Sequence, residues 1–145
     1  LCNKLNPNNE WGRLTFITRM GANKIRKLLP PLIRTIQDKQ FRVLWVCDPM
    51  HGNTYKSSTG FKTRNFDTIL EEIEHFFAIH RAENSIPGGI HFELTGENVT
   101  ECIGGARKIS DKDLSKKYET ACDPRLNNEQ SLELGFLITD LLRNK

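Results

Sequence analysis

The feature that most constrains this chain is the alternation of short apolar runs with longer amphipathic stretches. Three runs are rich in β-branched and aromatic residues and predict strands, namely residues 14–18, 41–47 and 90–94. After each run comes a stretch with apolar side chains at helical spacing, which predicts helices over residues 23–39, 66–81 and 129–142. Repeated strand–helix units favour an α/β fold with parallel strands.

Finer features of the pattern give further expectations. Pro30 and Pro31 are expected to kink the first helix or to mark its true start. The second strand is apolar at nearly every position, which predicts a strand covered on both faces. Pro87-Gly88-Gly89 is expected to break the chain before the third strand, and a short helix is expected near residues 111–118.

With 145 residues the chain is long enough for one domain, residues 1–145, and its length gives no reason to expect two. Three strand–helix units are too few to close a barrel. A (β/α)₈ barrel takes about 250 residues. As barrel material, the chain would therefore be roughly the last three of eight units. No strand is followed by a glycine-rich dinucleotide loop, which argues against a free-standing nucleotide-binding sheet.

Charge and cysteine usage exclude several classes of function. The formal net charge is only +3 and the basic residues are scattered, which argues against nucleic-acid binding. No apolar run approaches the about 20 residues of a membrane span. The four cysteines, at positions 2, 47, 102 and 122, show no short paired spacing. That usage predicts reduced thiols in a cytoplasmic enzyme.

The side chains with catalytic potential cluster where the predicted strands end. Glu93 lies inside the apolar run IHFEL, where a buried carboxylate needs a compensating cation. His51 follows the neighbouring strand, and Asp123 can fold back from the long polar loop. One imidazole and two carboxylates suit a first-row divalent ion, so the three residues are candidate metal ligands.

Each of these residues also has a purely structural interpretation. Glu93 can pair with a lysine or arginine of the sheet, and Asp123 can be a turn or capping residue before Pro124. His51 can be an ordinary histidine at the end of a strand. The sequence pattern alone leaves both interpretations open for all three.

Four more polar residues accompany this cluster. Arg19 can present its planar guanidinium to a phosphate or carboxylate, or form a salt bridge with Glu93 or Asp48. Asp48 can orient a histidine or a water molecule, or serve only as turn chemistry. Lys62 and Arg64 are candidates for a second phosphate site, with solvated loop charges as the alternative.

The other histidines are expected to be less important. His91 is either a support of the metal site or a satisfied core histidine, with the core role favoured. His75 and His80 lie on the predicted helix over residues 66–81 and are expected to be surface or packing residues.

The sequence itself resembles a known family along essentially its whole length. Four segments closely resemble class II 3-deoxy-D-arabino-heptulosonate 7-phosphate (DAHP) synthases: RMGANKIRKLLPPLI, WVCDPMHGNTYKSSTGFKTRNFD, PGGIHFELTGENVTECIGG and YETACDPRLNNEQSLEL. The resemblance implies a (β/α)₈ TIM barrel, of which this chain would be the C-terminal part, with about strands six to eight and their helices. Residues 1–145 would then form a single partial domain.

The resemblance also implies an activity: metal-dependent condensation of phosphoenolpyruvate with erythrose 4-phosphate, in the first step of the shikimate pathway. By motif, His51 (DPMHGN), Glu93 (GIHFELTG) and Asp123 (ACDPRLN) would bind Mn²⁺ or Co²⁺. Arg19 (RMG) would bind phosphoenolpyruvate, and His51 and Arg19 would be the catalytic residues of this segment. The complete enzyme would be a homo-oligomer.

The chain departs from the family pattern in what it lacks. The family's fourth metal ligand is a cysteine in an N-terminal motif, and no cysteine of this chain has that context. The KPR-type segment and a phosphoenolpyruvate-binding lysine are also missing, so this chain alone is expected to be inactive. Two alternatives remain: another metal-dependent aldolase or phosphoenolpyruvate-using barrel enzyme, and a non-catalytic α/β module.

Overall fold

The computed structural model describes residues 1–143. Along the chain the elements are α1 (Cys2–Leu5), β1 (Thr15–Thr18), α2 (Ala22–Asp38), β2 (Leu44–Cys47), β3 (Tyr55–Lys56), β4 (Lys62–Thr63), α3 (Phe66–Ala82), β5 (Pro87–Ile90) and α4 (Asn128–Arg143). Short 3₁₀ turns cover His51–Asn53 and Asp111–Lys116. The second of these turns confirms the short helix expected near residues 111–118.

The main sheet is parallel and three-stranded, with the order β1-β2-β5. The predicted α/β class with parallel strands is therefore confirmed. Helices α2 and α3 pack against each other and against the sheet through a common apolar core that includes Ile25, Ile33, Trp45, Ile73 and Phe76. Because the strands are parallel and adjacent, their carboxyl ends lie at one edge of the sheet, where Arg19, Asp48 and the segment around Glu93 follow.

The prolines of α2 do not mark its start. The helix runs without interruption from Ala22 to Asp38 and contains both Pro30 and Pro31. A proline removes the hydrogen bond to the carbonyl four residues earlier, here of Arg26 and Lys27. Both of these residues are exposed, so water can satisfy the two carbonyl groups. Pro30 and Pro31 are tolerated because they lie near the solvent side.

The third strand lies upstream of its predicted position over residues 90–94. Strand β5 consists of Pro87–Ile90, so the Pro-Gly-Gly segment is part of the strand. A Cβ on Gly88 would lie 2.4 Å from Leu44 Cδ1 and 2.7 Å from the Trp45 carbonyl oxygen, so glycine permits this close pairing with β2. After Ile90, the segment makes one further bond to β2, from His91 N–H to the Cys47 carbonyl at 2.8 Å.

Strand β2 also differs from its prediction. It begins at Leu44 instead of residue 41, and Leu44 is 43% exposed. Within the described residues, only one face of β2 is therefore fully covered. Among residues 1–143, no helix combines the length and the apolar composition needed to cross a bilayer.

Candidate metal centre

His51, Glu93 and Asp123 converge at the carboxyl edge of the sheet. One nitrogen or oxygen atom from each lies within 4.8 Å of the others. His51 Nε2 is 3.3 Å from Glu93 Oε1 and 3.9 Å from Asp123 Oδ2. Ligands that bind one ion at about 2.1 Å lie about 3 to 4 Å apart. The spacing and the mixed N and O donors therefore fit a first-row divalent cation.

His51 is oriented by the buried carboxylate of Asp48. Asp48 Oδ2 lies 2.7 Å from His51 Nδ1, and Asp48 Oδ1 accepts the backbone N–H groups of Met50 and His51 at 3.0 and 3.2 Å. Because the carboxylate accepts in all these contacts, Nδ1 is the nitrogen that donates to Asp48. The lone pair of Nε2 then points to the cluster, as metal binding requires.

Arg19 follows β1 and contacts the same carboxylate. Its Nε lies 2.7 Å from Asp48 Oδ2, so of the two salt bridges that the sequence allowed, the structure has the one with Asp48. The Arg19 side chain is 49% exposed, whereas Asp48 is fully buried. The guanidinium is thus fixed through one nitrogen beside the candidate metal ligands and still faces solvent.

Arg64 is fully buried, so its interpretation as a solvated loop charge is wrong. Its Nη1 donates to Glu93 Oε2 and to the Pro124 carbonyl, and its Nε donates to Thr54 Oγ1 at 2.8 Å. The Glu93 side chain is only partly buried, at 25% exposure, and this ion pair balances its charge, so Glu93 does not by itself require a metal. It also leaves Glu93 Oε1 facing His51.

Asp123 has the same arrangement with Lys62. The Lys62 ammonium contacts Asp123 Oδ1, while Asp123 Oδ2 faces His51. The hydrogen bond from Lys62 holds the pKa of Asp123 below its usual value, and the same bond raises the pKa of Lys62. Lys62 is half exposed, so it can also reach a ligand in solvent.

A common pattern unites the three candidate ligands. Each uses one polar atom for a protein partner and turns its other atom toward the shared point. The partners are Asp48 for His51, Arg64 for Glu93, and Lys62 for Asp123. Such partners fix the orientation of metal ligands. Convergence of the atoms, more than burial, supports a cation here.

Glu101 is a residue that the sequence reasoning missed. Its fully buried carboxylate accepts the backbone N–H groups of Glu119, Thr120 and Arg125 at 3.2, 2.9 and 2.8 Å. The Arg125 guanidinium adds contacts of 3.0 and 2.7 Å. Glu101 therefore organises the loop that carries Asp123. The available signal was a lone carboxylate close to the apolar residues Val99 and Cys102.

Glu72 is the second missed residue. It lies on α3 and is fully buried although its side chain is acidic. It accepts the N–H groups of Met20 and Gly21 and the side-chain amide of Asn53. No periodicity in the sequence marks such a contact, because its partners come from two distant loops.

The remaining histidines differ in their surroundings. His91 is exposed, with its ring centroid 6.5 Å from that of His51, so a core role for His91 is wrong. His80 packs between Trp45 and Phe76, and His75 accepts a hydrogen bond from Arg26, as expected for packing and surface residues.

Two of the buried cysteines, Cys47 and Cys102, are in surroundings that disfavour the thiolate. All four are free thiols, and all except Cys122 are buried. Burial raises the pKa of Cys47, and it raises that of Cys102 to about 12. A thiol that stays protonated is a poor nucleophile.

Comparison with known proteins gives a consistent result. The class-II DAHP synthetase family matches residues 1–139. The chain is 62% identical over 141 residues to phospho-2-dehydro-3-deoxyheptonate aldolase AroG of Mycolicibacterium smegmatis, a match that covers 97% of this chain and 30% of that protein.

Two Streptomyces proteins, both named phospho-2-dehydro-3-deoxyheptonate aldolase, are also similar. The S. coelicolor protein is 53% identical over 142 residues, which cover 98% of this chain and 32% of that protein. The S. lividans protein is 52% identical over 142 residues, with 98% of this chain and 97% of that sequence covered. The chain thus spans about a third of the length of the first two relatives.

Proposed function

The chain belongs to the class-II DAHP synthetase family, and on this premise we propose that it supplies part of the active site of a DAHP synthase. The reaction joins C3 of phosphoenolpyruvate to the aldehyde carbon of erythrose 4-phosphate. Water adds at C2, and inorganic phosphate leaves. The observation that carries the proposal is the convergence of His51, Glu93 and Asp123 on one point.

In this proposal, those three residues hold a divalent cation, Mn²⁺ or alternatively Co²⁺. Polarisation of the erythrose 4-phosphate aldehyde is the chemistry that such an ion supplies when bound. His51 offers Nε2 because Asp48 holds its other nitrogen. Glu93 and Asp123 each offer one oxygen, since Arg64 and Lys62 hold the other. The fourth ligand would be the family's cysteine, supplied from outside this segment.

Arg19 is the proposed phosphoenolpyruvate residue. Asp48 fixes its Nε and leaves the two Nη groups to form paired hydrogen bonds with a carboxylate or phosphate. Lys62 remains a weaker candidate for substrate binding, because it is half exposed beside Asp123. The burial of Arg64 favours support of Glu93 over direct contact with a phosphate group.

We further propose that residues 1–145 form the C-terminal portion of a (β/α)₈ barrel. The three parallel strands lie side by side in chain order, as consecutive barrel strands do. Exposed apolar side chains on the sheet, Ile17 and Leu44, are 46% and 43% accessible and suit contact with further barrel elements. A homo-oligomeric enzyme in the cytoplasm completes the proposal, and the free thiols are consistent with that compartment.

One observation favours a competing interpretation as a non-catalytic module. Arg64 and Lys62 already neutralise Glu93 and Asp123, as they would in a purely structural ion-pair network. That interpretation predicts that the protein has no specific affinity for divalent ions. Another metal-dependent aldolase would bind the ion but would not use these two substrates.

The deciding experiment uses the full-length protein, called the intact protein below, because residues 1–145 alone are expected to be inactive. It measures the consumption of phosphoenolpyruvate and erythrose 4-phosphate with Mn²⁺ and after removal of the metal by a chelator. We expect activity only with the metal, and a loss of more than about 100-fold in His51→Ala. His75→Ala is the matched control, because His75 lies on α3 and contacts Arg26. Full activity of His51→Ala would contradict the metal assignment, and activity with other substrates would support the aldolase alternative.

A further inference from the structure

Glu72 is a fully buried carboxylate on α3 that the proposed chemistry does not use. Its Oε1 accepts the N–H groups of Gly21 at 3.0 Å and Met20 at 3.2 Å. Its Oε2 accepts the side-chain amide of Asn53 at 2.7 Å. Among the described residues it forms no ion pair with a basic side chain. Its negative charge is therefore met only by these three neutral N–H donors.

The donors belong to two loops that carry different parts of the proposed active site. Met20 and Gly21 directly follow Arg19, at the end of β1. Asn53 ends the 3₁₀ turn that begins at His51, after β2. One carboxylate is therefore bonded both to the loop of the proposed phosphoenolpyruvate arginine and to the loop of the proposed metal histidine.

The two loops are also in direct contact, and Asn53 joins them a second time. Its Oδ1 accepts the N–H of Ala22 at 3.0 Å. A Cβ built on Gly52 would lie 2.4 Å from Gly21 N, and one built on Gly21, whose φ is 84°, would lie 2.8 Å from Gly52 O. Any larger residue at Gly21 or Gly52 would push the loops apart. Backbone packing and Glu72 thus define one spacing between them.

A carboxylate satisfies all three donors at this position, whereas an amide does not. A glutamine has one acceptor oxygen, so its NH₂ group would face either the N–H groups of Met20 and Gly21 or the amide of Asn53. Either arrangement sets donor against donor in a buried site, where an unmade hydrogen bond is costly. Capping the N-terminus of α2 would explain the contacts with Met20 and Gly21, but it does not explain the contact with Asn53.

We propose that Glu72 is a positioning residue that fixes Arg19 relative to His51, and so couples phosphoenolpyruvate binding to metal binding. The inference rests on the proposed function, because it gives Arg19 and His51 their roles. Glu72 itself touches neither substrate nor metal in this arrangement.

The test compares Glu72→Gln with Glu74→Gln in the intact protein, since Glu74 is exposed on the same helix. Mn²⁺ dissociation constants are measured by titration, and KM and kcat are measured against phosphoenolpyruvate. We expect both the Mn²⁺ dissociation constant and the KM to rise about tenfold in Glu72→Gln, with a smaller change in kcat. Glu74→Gln should match the wild type. Asn53→Ala removes the same link from the other side and should raise both constants as well.

The outcomes separate the possible explanations. A folded Glu72→Gln that melts earlier but keeps both constants within about twofold of the wild type would show a purely structural role and overturn the inference. If Glu72→Gln does not fold, unchanged constants in Asn53→Ala overturn it instead. If the wild type itself binds neither Mn²⁺ nor phosphoenolpyruvate, the proposed function fails and the inference falls with it.

Discussion

Asp48 Oδ2 lies 2.7 Å from His51 Nδ1, and this contact decides which nitrogen of His51 is available to the candidate metal centre. The carboxylate is fully buried, and its other oxygen accepts two backbone N–H groups. Proton position on His51 is therefore set by a neighbour three residues away in sequence. The same carboxylate holds Arg19, so two of the proposed functional side chains share one support.

We predict that Asp48→Asn weakens Mn²⁺ binding by about 10- to 100-fold. The amide oxygen of the asparagine would still accept the hydrogen bonds from the backbone N–H groups of Met50 and His51. The NH₂ group of the asparagine would then face Nδ1 of His51 and donate to it. The ring proton would then move to Nε2 and block the metal-binding lone pair. Mn²⁺ titration of the intact protein measures the effect, with exposed Asp38→Asn as the control. Equal affinity in Asp48→Asn and the wild type would contradict this account.

We predict that Arg64→Met lowers the free energy of unfolding by about 3 kcal/mol, because it leaves the Glu93 carboxylate without its buried partner. A divalent cation could replace part of the lost charge. Mn²⁺ should therefore stabilise the variant more than the wild type in denaturant unfolding followed with and without chelator.

The control for that experiment is Arg107→Met, which breaks the exposed pair with Glu129 and should change stability little. If Mn²⁺ stabilises Arg64→Met no more than the wild type, the ion does not replace the lost positive charge beside Glu93, and this prediction is wrong.

We predict that Glu101→Gln lowers both stability, by about 2 to 4 kcal/mol, and Mn²⁺ affinity, because the loop that carries Asp123 loses its anchor. Urea unfolding and Mn²⁺ titration measure the two effects. Exposed Glu97→Gln is the matched control. A variant that loses stability yet binds Mn²⁺ as the wild type does would show that the loop does not position Asp123.

The Glu101 contacts also have a pH signature. Burial alone would raise the pKa of Glu101, but hydrogen bonds from Arg125 and from the backbone hold that pKa below its usual value of 4.5. A carboxyl whose pKa is lowered in the folded state stabilises the protein above the unfolded value and loses this effect as pH falls through the folded value. Glu101→Gln should therefore lose part of the wild type's acid sensitivity below pH 4.5.

We predict that His80 makes the protein less stable as pH falls from about 6.5 toward 4. Burial beside Trp45 and Phe76 lowers the pKa of His80 from 6.5 to about 4, so the unfolded chain takes up the proton first. The loss should be at most about 3 kcal/mol. His80→Phe should flatten this part of the stability profile in denaturant unfolding at several pH values, whereas His75→Phe should retain it.

Element types were predictable because hydrophobic periodicity is local. The strand at Thr15–Thr18 and the helices Phe66–Ala82 and Asn128–Arg143 lie where the pattern predicted them. The third strand begins three residues and ends four residues before its predicted position, since that position depends on how closely Gly88 approaches β2. In sequence-based prediction a glycine indicates the end of a strand, yet here Gly88 permits strand pairing that a side chain would prevent.

In the candidate site too, some features could be predicted from the sequence and others depended on tertiary contacts. Convergence of His51, Glu93 and Asp123 was anticipated from strand ends and from the family resemblance, and the geometry agrees. Their roles as metal ligands, and that of Arg19, remain predictions. Among the supporting residues, the sequence anticipated that Asp48 orients a histidine, and its contact with His51 confirms this. Glu72 and Glu101 were not anticipated, because they act through partners that are 18 to 52 residues away in sequence.

The sequence by itself determined the α/β class, the family and the three candidate ligands, since these follow from local patterns and collinear motifs. Only the tertiary structure decided which atom each ligand turns toward the shared point. That choice depends on Asp48, Arg64 and Lys62, which occupy the opposite atoms of His51, Glu93 and Asp123. Two of these three pairings are long-range electrostatic contacts, and such contacts form only when the folded chain brings distant charges together.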